Sequence, residues 1–242
     1  MSRFSQRGVL ITGASRGLGR ALFDQLARAG ARVVGVARHT EELERGARAL
    51  RAEGLAAHVL AADVGDLDAI YPLAGASQAL VGPVELLVHD ASTLGPTPLG
   101  PLLDLPCEAL LRVLQVNLLG PFRLTRAIVG GMLVRGSGIV ASISSDAAVS
   151  AYPNWGAYGV SKAALDHLSR SWAAELRGTG VSAISIDPGE MDTDMHRDAM
   201  PDADPATLAR PGDVARQIIA GLEQLRPEQS GARVSAADWS AP

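Results

Sequence analysis

Short apolar segments alternate with longer helix-like segments along most of this chain. The apolar segments are four to six residues long, which is typical of buried β-strands. They predict strands at 8–12, 32–37, 59–62, 84–89, 137–142 and 181–186. The intervening segments predict helices at 20–29, 67–81, 108–134, 158–177 and 211–225, and a further helix that begins after Thr40. Because strands and helices alternate throughout, we expect a parallel sheet covered by helices on both faces.

The pattern continues without a repeat, a low-complexity tract or a linker, so we expect one α/β domain over residues 1–242. Hydrophobic residues make up 47% of the chain but aromatic residues only 4%, which suits close packing of helices on a sheet. The segment 92–106 is rich in proline and glycine and predicts a loop.

Charge and cysteine content exclude several classes of protein. The formal net charge is −4 with no basic run, which argues against a nucleic-acid partner or an anionic membrane partner. Cys107 is the only cysteine, so an intramolecular disulfide is impossible. We expect no membrane span and no signal peptide, since the apolar runs are only strand-length, and we expect a cytoplasmic protein.

A glycine-rich turn joins the first strand to the first helix. Its residues are Thr12-Gly13-Ala14-Ser15-Arg16-Gly17-Leu18-Gly19. Glycines at such a turn let backbone N–H groups approach a pyrophosphate at the helix N-terminus. A glycine-rich connection that binds nothing is the alternative.

Tyr158 and Lys162 are four residues apart on a predicted helix, which places them on one face. A phenol titrates near pH ~10, and a neighbouring ammonium favours its ionised form. The pair therefore predicts a tyrosine that exchanges a proton during catalysis. A solvated surface pair is the alternative.

The T-G-x-x-x-G-x-G turn together with Tyr-x-x-x-Lys resembles the short-chain dehydrogenase/reductase family, from about residue 8 to 225. The resemblance implies a Rossmann fold with a doubly wound sheet of about seven strands. It also implies hydride transfer between a nicotinamide and a carbonyl or alcohol carbon. Tyr158 would be the general acid or base, Ser145 (not its neighbour Ser144) would bind the substrate oxygen, Lys162 would lower the tyrosine pKa, and Asn117 would order a relay water.

The expected coenzyme is NADP(H). No carboxylate stands at the end of the second strand, where Arg38 is found, and Arg16 lies in the glycine turn, so two guanidiniums would suit a 2′-phosphate. By resemblance, Asp63 and Val64 would contact the adenine. The expected coenzyme-binding residues are Gly13, Ser15, Arg16, Gly17, Leu18, Gly19, Arg38, Asp63, Val64, Ala91, Tyr158, Lys162, Pro188, Gly189 and Thr193.

The chain departs from the family pattern in two places. His89-Asp90-Ala91-Ser92 replaces the usual Asn-Asn-Ala-Gly, and a buried Asp90 would need hydrogen-bond donors to stay ionised. The family's Val-Asp-Gly-Gly ending is also absent, so the sequence leaves open how the C-terminal tail closes the sheet.

A short polar segment at 194–210 predicts a substrate lid with few apolar anchors, which favours small or polar carbonyl substrates over bulky ones. Asp192, Asp194 and His196 alternate as metal ligands could, but the start of a lid explains them better, and we expect no metal site.

The family often forms homodimers or homotetramers through two of its helices. Five leucines on these helices would allow such packing: Leu110, Leu114, Leu118, Leu165 and Leu168. The alternative is that they face the chain's own sheet. Two other functions stay open at this point. A non-catalytic NADP(H)-binding regulator would fit the changed segment at His89. A nucleotide-dependent methyltransferase shares the glycine turn but leaves Tyr158 and Lys162 unexplained.

Overall fold

The computed structural model describes residues 2–239, so Met1 and residues 240–242 of the expected domain lie outside it. All seven strands form one parallel sheet in the order β3-β2-β1-β4-β5-β6-β7. The strands are Gly8–Thr12 (β1), Arg32–Ala37 (β2), Ala57–Ala61 (β3), Val84–His89 (β4), Gly138–Ile143 (β5), Val181–Asp187 (β6) and Arg233–Ser235 (β7). The predicted doubly wound Rossmann sheet is confirmed.

Eight α-helices surround this sheet within the described part of the chain. They are Gly17–Arg28 (α1), Glu41–Ala52 (α2), Ile70–Val81 (α3), Cys107–Leu114 (α4), Gly120–Arg135 (α5), Gly156–Glu175 (α6), Asp194–Ala199 (α7) and Pro211–Glu223 (α8). None of the helices within residues 2–239 combines the length and the hydropathy needed to cross a bilayer.

The sheet separates two hydrophobic cores. Strand side chains alternate between them, so Val9 and Ile11 of β1 face one core and Leu10 faces the other. Helices α1, α2 and α8 cover the first core, while α3, α5 and α6 cover the second. Because both faces are buried, the strands read in the sequence as continuous apolar runs.

The strand order reverses at β1, which has β2 on one side and β4 on the other. In open parallel sheets, ligands bind in the crevice at the carboxyl ends of the strands at such a reversal. The loops after β1, β2, β4, β5 and β6 all meet at this edge.

Some boundaries differ from those expected. Strand β3 begins at Ala57 because its first residues pair with Val33 and Val34 of β2. Helix α3 begins at Ile70, since the Asp66 carboxylate accepts a hydrogen bond from the Asp68 N–H and holds a turn ahead of the helix. The single helix expected at 108–134 is divided by a π-helical segment, Gln115–Leu119, that contains Asn117.

The C-terminal tail adds β7 to the edge of the sheet, beside β6. The Trp239 ring then packs on α8 at Gly221, where a Cβ atom would lie 1.9 Å from the ring. A glycine is required there because of this contact. The tail thus closes the sheet without the family's usual ending.

Candidate active site

The glycine turn lies directly against the loop that follows β4. Gly13 has φ 77°, and a Cβ there would lie 2.6 Å from the Ala91 nitrogen, so only glycine fits. Helix α1 starts at Gly17 with no side-chain cap and no acidic residue in its first turn. Its first N–H groups and its dipole are therefore suited to an anion such as a pyrophosphate.

A cleft opens beside this turn and continues across the ends of β2 and β4. Ten of the expected coenzyme residues line it: Gly13, Ser15, Arg16, Gly17, Leu18, Arg38, Asp63, Val64, Ala91 and Thr193. Gly19 lies behind the cleft, where a Cβ would meet an Asp90 oxygen at 2.5 Å. Pro188 and Gly189 line the adjoining cavity instead. The residues present fit a dinucleotide.

The two arginines expected to bind a 2′-phosphate have different surroundings. Arg38 lies at the end of β2 and forms no ion pair with any residue of 2–239. Arg16 donates a hydrogen bond to Asp194 at the start of α7, with Nη1 and Oδ2 2.9 Å apart. We expected both guanidiniums to bind one phosphate. Of the two, only Arg38 has no carboxylate partner within residues 2–239, because Arg16 links the glycine turn to α7.

Asp63 is held in place by two donors. Its carboxylate accepts hydrogen bonds from the Gly65 N–H, at 2.8 Å, and from Arg112 of α4. Burial opposes ionisation, but these donors outweigh it and keep the pKa of Asp63 below its usual value. Asp63 is therefore ionised and oriented at neutral pH.

Tyr158 and Lys162 lie on α6, one turn apart, as the sequence predicts. The Lys162 Nζ donates to the Ile143 carbonyl at 2.7 Å and lies 5.5 Å from the centre of the Tyr158 ring. Trp155 packs edge-on against the same ring at 5.8 Å. The end of β5 thus anchors the lysine, and the aromatic contact orients the phenol.

Taken together, the protein groups around Tyr158 raise its pKa. Burial raises this pKa, and the nearby carboxylates of Asp90, Asp146 and Asp187 raise it further, while the Ser145 hydroxyl lowers it. Without a bound coenzyme the phenol is therefore protonated at neutral pH, and the expected lowering of its pKa by Lys162 together with a cationic coenzyme ring stays a prediction. Burial also lowers the pKa of Lys162, to about 8, which leaves the ammonium mostly protonated at pH 7.

Ser145 follows β5 and lies beside Tyr158. Its hydroxyl donates to Asp146 at 2.9 Å and accepts a hydrogen bond from the Ala147 N–H at 3.2 Å. Ser144 is almost fully buried, and its hydroxyl has no hydrogen-bond partner within residues 2–239. Both serines line the cavity. Because the Ser145 hydroxyl lowers the pKa of Tyr158, it lies close to the phenol, which favours Ser145 over Ser144 as the residue that binds the substrate oxygen.

Asn117 joins three segments. Its amide oxygen accepts from the Thr93 N–H at 2.8 Å, and its amide nitrogen donates to the Thr93 carbonyl and to the Ser161 hydroxyl, each at 2.9 Å. Both amide protons are thus engaged. The side chain thus holds the loop after β4 against α6, and the expected ordering of a relay water by Asn117 stays a prediction.

The changed segment after β4 adds two titratable groups, of which His89 is buried and Asp90 is part-buried. His89 bonds Thr125 at 2.8 Å, and burial lowers the His89 pKa to about 3, so the imidazole is neutral. Burial raises the pKa of Asp90 to about 7, and the charge of Lys162 opposes that rise. Asp90 lines both the cleft and the adjoining cavity, so its carboxylate lies where the coenzyme site meets the catalytic residues.

A cavity of about 560 Å³ adjoins the cleft and contains Ser145, Tyr158 and Lys162 in its wall. Met195, Ala199 and Met200, which lie on or beside α7, contribute to the same wall. The expectation that the lid segment offers few apolar anchors is therefore wrong. The sequence conceals this because the apolar residues of the short α7 stand between charged ones.

Three residues of this region have contacts that the sequence did not predict, although His196 was considered there as a metal ligand. Arg112 reaches Asp63, Arg233 reaches the ends of β5 and β6, and His196 faces the cavity with both ring nitrogens lacking a hydrogen-bond partner within residues 2–239. The contacts of both arginines span between 46 and 88 residues of sequence. Spacing within one helix or strand could not have revealed them.

The chain belongs to the short chain dehydrogenase family, because the model of that family matches residues 7–204. It is therefore a member of an oxidoreductase family. A short chain dehydrogenase of Pseudocercospora fijiensis is 39% identical over 188 residues, which are 77% of this chain and 60% of that relative. Dehydrogenase/reductase SDR family member 4 of Bos taurus is 34% identical over 78% of this chain and 67% of its own length.

Solved structures show the same architecture. A short chain dehydrogenase from Pseudomonas syringae superimposes with a TM-score of 0.87 at 32% identity, covering 96% of this chain and 95% of that one. A short chain dehydrogenase from Escherichia coli CFT073, in complex with NADPH, gives a TM-score of 0.88 at 27% identity, over 96% and 97% of the two chains.

Proposed function

We propose that this chain is an NADP(H)-dependent oxidoreductase that interconverts a carbonyl compound and its secondary alcohol. One observation carries the proposal. The cleft that fits a dinucleotide and the cavity that contains Ser145, Tyr158 and Lys162 meet at shared residues, among them Asp90, Ser92 and Thr193. A substrate in the cavity would thus lie between the proton donor and the end of the coenzyme.

In the direction of reduction, the carbonyl carbon gains a hydride and the carbonyl oxygen gains a proton. Tyr158 supplies that proton, since burial keeps the phenol protonated at neutral pH. The Ser145 hydroxyl binds the same oxygen and stabilises the charge that develops on it. In oxidation, Tyr158 accepts the alcohol proton.

When bound, NADP(H) supplies the hydride or accepts it, and its oxidised ring carries a positive charge. Such a charge beside Tyr158 favours the phenolate, which the protein groups alone do not. We infer that Lys162 and Thr193 contact this end of the coenzyme, and that Pro188 and Gly189 shape the backbone beside it.

NADP(H) is proposed over NAD(H) because of the end of β2. Arg38 lines the cleft there, and its guanidinium has no carboxylate partner within residues 2–239, which suits a 2′-phosphate. The NADPH complex of the Escherichia coli relative supports this choice.

The cavity wall indicates the kind of substrate. Apart from the catalytic residues, much of the wall is apolar or aromatic, including Leu94, Trp155 and Met195. We therefore propose carbonyl compounds with an apolar or aromatic body rather than small polar ones.

A non-catalytic NADP(H)-binding regulator is the second candidate. It is favoured by Asp90, a part-buried carboxylate that stands where the family usually has an asparagine and that raises the pKa of Tyr158. This candidate predicts coenzyme binding without turnover.

A comparison of coenzyme binding and turnover distinguishes the two functions. NADPH oxidation is followed with a panel of aryl ketones, diketones, aldehydes and quinones, for the wild-type chain, Tyr158→Phe and Tyr71→Phe. Tyr71 is half-exposed on α3 and serves as the matched control. We expect turnover by the wild type and by Tyr71→Phe, and binding of NADPH without turnover by Tyr158→Phe. Equal rates for all three would overturn the proposed role of Tyr158, and binding without turnover by the wild type would favour the regulator.

A further inference from the structure

Arg233, the first residue of β7, binds three segments that carry the proposed catalytic residues. Its Nη2 atom donates to the Ser145 carbonyl and to the Asp187 carboxylate, both at 2.8 Å. Its Nε atom donates to Asp166 of α6 at 3.1 Å. A planar guanidinium can hold several acceptors at fixed directions, which a lysine cannot do.

Each of these acceptors lies next to a proposed catalytic or coenzyme residue. Ser145 itself is the proposed ligand of the substrate oxygen. Asp187 precedes Pro188 and Gly189, and its other oxygen accepts from the Gly189 N–H at 3.0 Å. Asp166 follows Lys162 by one turn of α6. A single side chain therefore connects the end of β5, the end of β6 and the helix of Tyr158.

Burial makes this connection strong. The side chains of Asp166 and Asp187 are 4% and 15% exposed, and that of Arg233 is 22% exposed. Removal of the guanidinium would leave two largely buried carboxylates without their cation. The segments they belong to would then be free to shift relative to one another, and a displacement of about 1 Å near reacting atoms can lower a rate by about a hundredfold.

We propose that Arg233 is a positioning residue for the reaction: it holds the Ser145 carbonyl, the Asp187-Pro188-Gly189 segment and α6 in the arrangement that turnover requires. This inference rests on the proposed oxidoreductase function. It also gives the unusual C-terminal tail a role, because β7 brings the arginine to the active-site edge of the sheet.

Removal of Arg233 should also change the pKa of Tyr158. The negative charge of Asp187 raises the pKa of Tyr158. The Arg233 guanidinium, which donates to both Asp187 and Ser145, compensates that charge. Without the arginine, that charge is no longer compensated, so Tyr158 should lose its proton at higher pH. In alcohol oxidation, where Tyr158 acts as the base, the acidic limb of the pH profile should move to higher pH.

The test compares Arg233→Met and Arg233→Lys with Arg216→Met as the matched control. Arg216 is exposed on α8 and pairs only with Asp213 within residues 2–239. We measure kcat, KM, the Kd for NADPH and the pH profile of alcohol oxidation. For Arg233→Met we expect kcat to fall at least about tenfold while KM and Kd change less than about threefold. Arg233→Lys should recover only part of kcat, and Arg216→Met should match the wild type.

A second variant covers the case in which Arg233→Met does not fold. In Arg233→Gln/Asp187→Asn, one buried charge is removed along with the arginine and an amide pair remains, so folding should be retained while kcat stays low. A folded Arg233 variant with wild-type kcat and pH profile would overturn the inference.

Ionisation of Tyr158 separates this inference from the proposed function. The tyrosinate absorbance of the NADP⁺ complex is titrated, with Tyr158→Phe as the blank. A titration displaced to higher pH in Arg233→Met supports the inference even if no substrate is turned over. An unchanged titration contradicts it, whatever the turnover experiment shows.

Discussion

At the scale of single residues, burial controls the chemistry of this site. Tyr158, Lys162 and His89 are buried and Asp90 is part-buried, and burial moves each pKa toward the neutral form of its group. Ionisation of the phenol therefore depends on the charges beside it, and in the proposed function an oxidised coenzyme adds its positive charge to that of Lys162. The sequence identified Tyr158 and Lys162 from their spacing, but not their burial, which tertiary packing decides.

The choice of coenzyme is predicted to depend on Arg38. In Arg38→Asp, a carboxylate replaces the guanidinium at the end of β2 and repels a 2′-phosphate, so NADPH binding should weaken at least about tenfold more than NADH binding. Fluorescence titration with each coenzyme measures this. Arg45→Asp, on the exposed side of α2, is the control. Equal weakening of both coenzymes by Arg38→Asp would contradict the NADP(H) assignment.

His89 predicts a pH dependence of folding stability. Its pKa falls from the ordinary 6.5 to about 3 in the folded chain, so the unfolded chain binds the extra proton between these values. The stabilising effect is complete above pH 6.5 and is lost as the pH falls toward 3, with a slope of about 1.4 kcal/mol per pH unit.

Urea unfolding at several pH values tests this effect. Relative to the wild type, His89→Asn should lose less stability as the pH falls from 7 toward 4. Parallel pH curves for the two proteins would show that His89 does not titrate as its burial requires.

At the scale of elements, the π-helical segment between α4 and α5 has the clearest consequence for the site. It brings Asn117 to the loop after β4, where the side chain satisfies both the N–H and the carbonyl of Thr93. The sequence predicts a helix over this whole region because its apolar pattern is continuous. The interruption follows from a polar side chain whose partners lie in other elements.

Asn117→Ala is predicted to cost about 1–3 kcal/mol of stability, because it leaves two backbone groups of a part-buried loop unpaired. Turnover should fall as well, since the bond to Ser161 of α6 is also lost. Urea unfolding and kinetics measure both effects, with the exposed Gln78→Ala of α3 as the control. Stability equal to that of the control would contradict the structural role of Asn117.

At the scale of the whole molecule, the sequence predicts the class of fold well and the closure of its edges poorly. Alternation of strands and helices specified the parallel sheet, since each element has its own periodicity. Strand β7 escaped prediction because its three residues are short, partly exposed and lack an apolar run. The role of Arg233 was missed as well, because its partners are distant in sequence and only the completed sheet brings them together.

Assembly also belongs to this scale. Four of the five leucines expected to support it are part-exposed: Leu110, Leu114, Leu118 and Leu168. Leu165 is only 2% exposed and faces the chain's own interior, so it is not available to a partner. Leu111 of α4 is 59% exposed. Leu119, in the π-helical segment that follows α4, and Val160 of α6 are also exposed. We propose that a homodimer or homotetramer forms through this α4–α6 side.

Leu111→Arg tests the proposed assembly, because a charge in an apolar interface is costly to bury. Sedimentation velocity should show a dimer or tetramer for the wild type and for Leu80→Arg, a matched exposed leucine on α3, and a smaller species for Leu111→Arg. A monomeric wild type would refute the oligomer, and an unaffected Leu111→Arg would place the interface elsewhere.

The central claim is hydride transfer at the junction of the cleft and the cavity, and deuterium transfer tests it most directly. NADPH carrying deuterium at the transferable C4 position is incubated with the protein and an aryl ketone that is turned over, and the alcohol product is analysed by mass spectrometry. We predict one deuterium on the carbinol carbon with the wild type and no product with Tyr158→Phe. Alcohol without deuterium, or the same yield from Tyr158→Phe, would contradict the account.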